Sequence, residues 1–110
     1  MDKTIQFKDW KCILYVAEYS GNHRTVLQLL NAESIVEDDY VIPEGTEMIA
    51  ICTVNLPDEH LEKDEVCIKD YSENEGMLKC LVDAKVISEP IRYTSSGHVS
   101  IPICKLLKYD

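Results

Sequence analysis

The sequence predicts a single α+β domain, residues 1–110, with about six mostly antiparallel strands packed on one principal helix at about residues 72–85. Short apolar runs rich in β-branched residues recur along the chain and are separated by turn chemistry. One stretch, from Ser72 onward, switches to helical spacing behind an N-cap signal. A chain of 110 residues, 45% of them hydrophobic, is long enough for one modest core and too short for two.

Ile5, Phe7 and Trp10 alternate with polar neighbours and read as a first short strand. Lys11 to Tyr19 is a β-rich run that ends at Ser20-Gly21-Asn22, where Gly21 and Asn22 tolerate positive φ. Arg24 to Asn31 reads as the return strand of a hairpin, although VLQLL also fits a helical turn. Residues 32–45, AESIVEDDYVIPEG, are acidic and turn-rich and read as an exposed excursion.

Glu47 to Val54, EMIAICTV, is nearly continuous in hydrophobicity, as expected of a central strand covered on both faces. Pro57 marks its end, because proline cannot donate to the ladder. Glu65 to Asp70 alternates apolar and polar residues, the pattern of a half-buried strand.

At the helix, Ser72 as N-cap and Glu75 three residues later form a capping-box pattern, with Glu73 and Glu75 at the positive end of the dipole. Met77, Leu78, Leu81 and Val82 make its apolar face, and Glu75–Lys79 is a favourable i,i+4 pair. Gly76 in the first turn costs about 1 kcal/mol against alanine, which points to a close backbone approach there. Val86-Ile87 and Ile91–Thr94 read as short strands and Ser95-Ser96-Gly97 as a turn. Val99–Leu107 closes the domain as a strand that Pro102 assigns to an edge or a bulge.

The net charge of −9 is concentrated in one region. Residues 33–75 carry fourteen acidic and two basic side chains, whereas the flanks are slightly basic. A field of that sign repels nucleic-acid phosphate and attracts basic protein surfaces. Direct nucleic-acid binding is therefore disfavoured. No apolar run approaches the roughly 20 residues that span a bilayer, and MDKTIQFKDWK lacks the apolar core of a signal peptide. A cytoplasmic location is the expectation.

The five cysteines, 12, 52, 67, 80 and 104, are odd in number, widely spread and without a C-x-x-C pair. They are expected to be reduced thiols used as small apolar side chains. His23, His60 and His98 lie singly beside turn signals, so neither a metal site nor a cofactor is read from them.

Asp58, Glu59, Glu62, Asp64 and Glu65 crowd eight residues relieved only by Lys63. They lack the register of a calcium loop. The plainest reading is a solvated acidic loop. The functional reading, extended to Asp70, Glu73 and Glu75, is a docking face for a basic protein surface. An alternative is a small enzyme or small-ligand binder with its site at the helix N-terminus, Asp70 to Glu75, using a cysteine or histidine brought there by the fold. A further alternative reads residues 77–106 as the recognition helix and wing of a winged-helix DNA binder. The β-rich first half and the acidic helix start oppose it. A core of this modest size is also compatible with a homodimer.

The words TVNLP, IKDYSENEGML and IPICKL resemble a domain-of-unknown-function family of small acidic proteins from plasmids, conjugative elements and phages of Gram-positive bacteria. The matching segments are Tyr19 to Leu29, Cys52 to Pro57, Ile68 to Leu78 and Pro102 to Leu106, with a longer insertion here around Ser34–Glu44. The resemblance implies a mobile-element accessory protein without assigning an activity. The company such proteins keep, together with their charge, implies a host defence or nucleic-acid-handling protein, or one encoded by the element itself, as partner.

Overall fold

A computed structural model describes residues 4–107. In chain order the strands are β1 (Thr4–Phe7), β2 (Trp10–Glu18), β3 (Thr25–Asn31), β4 (Ile35–Val36), β5 (Val41–Ile42), β6 (Met48–Ile51), β7 (Glu65–Cys67), β8 (Arg92–Ser96) and β9 (Val99–Lys105). A helix, α1 (Met77–Asp83), lies between β7 and β8. The class is the expected antiparallel α+β, built, among the described residues, from nine strands rather than six and from a much shorter helix.

The first sheet has the order β1-β2-β3-β6 and is antiparallel throughout. The β2–β3 hairpin forms where expected, and VLQLL is strand. The residue that takes the left-handed conformation in its turn is His23 (φ 59°), not Gly21 or Asn22. Asn22 instead closes the turn through its side chain, accepting the Arg24 N–H at 3.1 Å and donating to Asn55 Oδ1 at 3.0 Å.

The excursion at 32–45 is a miniature antiparallel hairpin, β4–β5, anchored by one buried residue. Asn31 Oδ1 accepts the N–H groups of Thr46 (3.0 Å) and Glu47 (2.8 Å). Its Nδ2 donates to the Glu33 (2.9 Å) and Pro43 (3.0 Å) carbonyls. A buried amide is tolerated because all four of its hydrogen bonds are made.

β6 corrects the sequence reading, since it is an edge strand rather than a covered central one. Met48 and Ile51 are 42% and 45% exposed. A register shift between Leu29 and Leu30 breaks its ladder with β3. Beyond Ile51 the chain changes sheets: the Cys52 N–H donates to the Leu27 carbonyl (2.8 Å), and Thr53 bridges Ile68. Residues 52–54 therefore stitch the two sheets together.

The second sheet has the order β7-β9-β8. β7 is fully buried, not half-buried. β9 is its central strand despite Pro102, against the edge position expected for proline. The Ile68 N–H donates to the Pro102 carbonyl at 3.0 Å, but Pro102 has no N–H to return. The paired register accordingly stops one residue earlier, at Cys67–Ile103. Proline is accommodated because it faces the point where its neighbour leaves the ladder. Ser95 and Ser96 belong to β8, so the hairpin turn is Gly97-His98, with Gly97 at φ 61°. Ile87 makes a single bridge to Leu106 in place of a strand.

The helical segment begins later than its sequence pattern implies. Ser72–Asn74 is one 3-10 turn, and α1 is seven residues long, with Gly76 as N-cap at φ 97°. The capping box does not form, because Ser72 itself sits at φ 56° outside α1. The glycine is needed for its left-handed φ rather than for a close approach, since nothing lies within 4 Å of the position of an added Cβ. Lys79 pairs with Asp83 (2.8 Å) and not with Glu75.

The apolar face is as read: Met77 and Leu81 are fully buried, with Leu78 and Val82 partly covered. They complete the main core with Ile5, Phe7, Leu27, Leu29 and Ile68. Burying one such side chain contributes about 1.5–3 kcal/mol. A smaller cluster of Cys67, Ile101 and Ile103 lies against Leu56, Leu61 and Tyr71, under the acidic loop. Four of the five cysteines are buried as small apolar residues, and Cys80 is half-buried.

Candidate functional site

The acidic loop between Asn55 and Glu65 follows from its local chemistry. Pro57 stops the chain from extending the ladder, and Leu56 and Leu61 turn inward onto the small core cluster. What fixes its shape is a pair of arginines from outside it. Arg24, at the start of the β2–β3 return, donates from Nη1 to the Leu56 carbonyl and from Nη2 to the Glu59 carbonyl, both at 2.6 Å. Arg92, the first residue of β8, grips Glu65 with Nη2 at 2.8 Å and Nη1 at 3.0 Å. Its Nη2 also donates to the His60 carbonyl at 2.9 Å.

The eight carboxylates singled out by sequence fall into distinct roles. Glu65 is buried, 7% exposed, and its Oε1 also accepts the Glu62 N–H at 2.9 Å. The hydrogen bonds from Arg92 hold its carboxyl at about 2, well below the ordinary glutamate range. It is a structural anchor turned away from solvent, so it does not belong to an exposed docking set. Glu59 is half-buried and accepts the Thr94 hydroxyl at 2.6 Å. Asp58, Glu62 and Asp64 are exposed. Glu62 lies 3.0 Å from His60 Nε2, and Asp64 lies 3.7 Å from Lys105 Nζ.

The other three carboxylates belong to the helix approach. Asp70 Oδ1 accepts the N–H groups of Gly76 (3.1 Å) and Leu78 (2.8 Å), capping α1 from outside it. Glu73 pairs with Lys69 at 2.6 Å, and that hydrogen bond lowers its pKa. Glu75 is exposed. Two of the N–H groups at the helix start, those of Gly76 and Leu78, are thus already engaged by Asp70. The nearest cysteine, Cys80, donates to the Gln6 carbonyl at 3.3 Å, and burial pushes its thiol up to about 11. A thiol held in its neutral form is a poor nucleophile.

Among the described residues no group of three or more histidine, cysteine, aspartate or glutamate side chains is arranged to hold a metal ion. Nor is any helix among them long and apolar enough to cross a membrane.

Arg24, Arg92 and Asn31 escaped the sequence reading. The two arginines lie far in sequence from the backbone they organise, 32 residues in the case of Arg24 and Leu56, and Asn31 reaches up to 16 residues, to Glu47. An isolated arginine beside a strand carries no spacing signal that announces such a partner.

No family model, curated protein or solved structure matches this chain.

Proposed function

We propose that the chain is a non-enzymatic, cytoplasmic protein-binding module whose acidic loop docks on the basic surface of another protein. The observation that carries this reading is the frame beneath the charge. Asp58, Glu62 and Asp64 project from a loop whose carbonyls are held by Arg24 and Arg92. A loop ordered before contact loses less conformational entropy on binding than a free acidic segment does. Its carboxylates would speed encounter with a basic partner and weaken with salt.

The resemblance of IKDYSENEGML and TVNLP to proteins of plasmids, conjugative elements and phages gives the sharpest form of the reading. In that form the chain is a mobile-element accessory protein, and its partner is a host or element-encoded protein that handles nucleic acid. Occupying that partner's basic cleft would inhibit it.

The test compares the native chain with the variant Asp58→Lys, Glu62→Lys, Asp64→Lys, matched by circular dichroism. Both are used as bait in a bacterial lysate at low and high salt, with captured proteins identified by mass spectrometry. The expected result is a stoichiometric, nucleic-acid-handling protein that is lost at high salt and lost from the variant. Equal capture by both baits would overturn the docking face.

A further inference from the structure

A second acidic feature lies away from the loop, between the β4–β5 hairpin and the first sheet. A cleft of about 380 Å³ opens there, lined by the aromatic Trp10 and Tyr40, the apolar Ile42 and Met48, and the carboxylate-bearing Glu37 and Glu47. The two aromatic residues are 43% and 60% exposed, and Met48 is one of the apolar residues left uncovered at edge strand β6. The walls are fixed in place. The Glu37 N–H donates to the Tyr40 carbonyl at 2.9 Å, closing the hairpin tip. Asn31 binds the Pro43 carbonyl at one end of the connection and the Glu47 N–H at the other.

Every lining residue is aromatic, aliphatic or anionic. Among the described residues no basic side chain forms an ion pair with Glu37 or Glu47. That combination defines a complementary occupant: a long apolar stem ending in a cation. A guanidinium fits best, because it is planar, weakly hydrated, stacks on aromatic faces and pairs with carboxylates. Its methylene stem would lie on Ile42 and Met48.

We infer that this cleft receives an arginine side chain from the partner protein, as an anchor separate from the acidic loop. The inference rests on the proposed function only in taking the partner's surface to be basic. It explains why edge strand β6 keeps Met48 exposed, since that side chain lines the site.

Trp10 is the chain's single tryptophan, so its fluorescence reports on this cleft alone. The full chain is titrated with the peptide acetyl-Gly-Arg-Gly-amide and with its lysine and citrulline counterparts. Citrulline keeps the size and planarity of arginine but replaces its charge and two of its five N–H donors with a neutral carbonyl. The expected result is a saturable change in Trp10 emission with the arginine peptide, weaker binding of the lysine peptide and none of the citrulline peptide. Binding should weaken about tenfold in Glu37→Gln, Glu47→Gln, the loss of charge-assisted hydrogen bonds. Tyr40→Ala, a change at an exposed side chain, should weaken it as well.

An arginine titration without saturation, or equal binding of the citrulline peptide, overturns the proposal. Equal binding of the lysine peptide overturns the choice of arginine. The loop variant Asp58→Lys, Glu62→Lys, Asp64→Lys separates the two ideas, because it should still bind the arginine peptide. If it does so while capturing the same lysate protein as the native chain, the acidic-loop reading fails and the cleft stands.

Discussion

Arg92 and Glu65 meet through a forked hydrogen bond, 2.8 and 3.0 Å, that joins the base of the acidic loop to strand β8. One carboxylate in the most acidic part of the chain is thus withdrawn from the surface, and its charge is answered by a residue 27 positions away.

Stability in acid should report that pair. The folded-state pKa of Glu65, about 2, lies below the usual glutamate value of about 4.3. Its contribution is therefore fully present above about pH 5 and is lost as pH falls toward about 2. Urea unfolding of native and Glu65→Gln chains should show the variant less stable at neutral pH, with the two curves converging through that window. A constant gap down to pH 2 would contradict the assignment.

Capping by Asp70 makes a different prediction from the sequence's own capping signal. Asp70→Ala should destabilise the chain by about 1 kcal/mol, and Asp70→Asn by less, because an amide oxygen still accepts. Ser72→Ala should stay within about 0.5 kcal/mol of the native chain. Chemical denaturation of the three variants gives the comparison.

Asn31 holds two amides and two carbonyls from the interior. Asn31→Ala removes all four of those hydrogen bonds, of which only the Pro43 carbonyl keeps another donor, the Thr46 hydroxyl, and a loss of about 2–4 kcal/mol is expected. Hydrogen exchange should quicken at Thr46 and Glu47 before it does in β2. Tryptophan emission should shift too, since Trp10 faces the same hairpin across the cleft.

Thiol chemistry should separate one cysteine from the rest. In the folded chain Cys80 should react first with a thiol reagent, and Cys12, Cys52, Cys67 and Cys104 only on unfolding. Burial raises Cys80 to about 11 and Cys104 to about 12. The folded state thus holds protons that the unfolded state releases above about pH 8.5, so stability should fall as pH rises beyond that point. Mapping alkylated cysteines by mass spectrometry against pH tests both statements.

The sequence was most informative where one local property decides the outcome. A β-rich run bounded by the turn residues Ser20-Gly21-Asn22 announced the β2–β3 hairpin, and the spacing of Met77, Leu78, Leu81 and Val82 announced the buried face of α1. It misled where a distant partner intervenes. EMIAICTV is apolar enough for a central strand, yet its side chains line an open cleft. Pro102 signals an edge, yet β7 stops pairing just where the missing donor would be needed. Ser72 and Glu75 match a capping box, yet Asp70 reaches the helix first. The acidic loop was visible as charge, but its ordering by Arg24 and Arg92 was not. Composition records how much charge a segment carries and is silent about which residue folds back to hold it.

The order in which the loop's two braces are synthesised sets a timing constraint. Arg24 leaves the ribosome before the loop, whereas Arg92 and its supporting strand β9 follow it. A nascent chain that has reached only Glu65 therefore displays the full negative charge of the loop with one side of its frame missing. Release products that end before Lys105 would remain in that condition permanently. Such fragments would be acidic without being shaped, able to attract cations but not to present a defined surface. Competence to recognise a partner should accordingly arise in a single step, when β9 slots between β7 and β8.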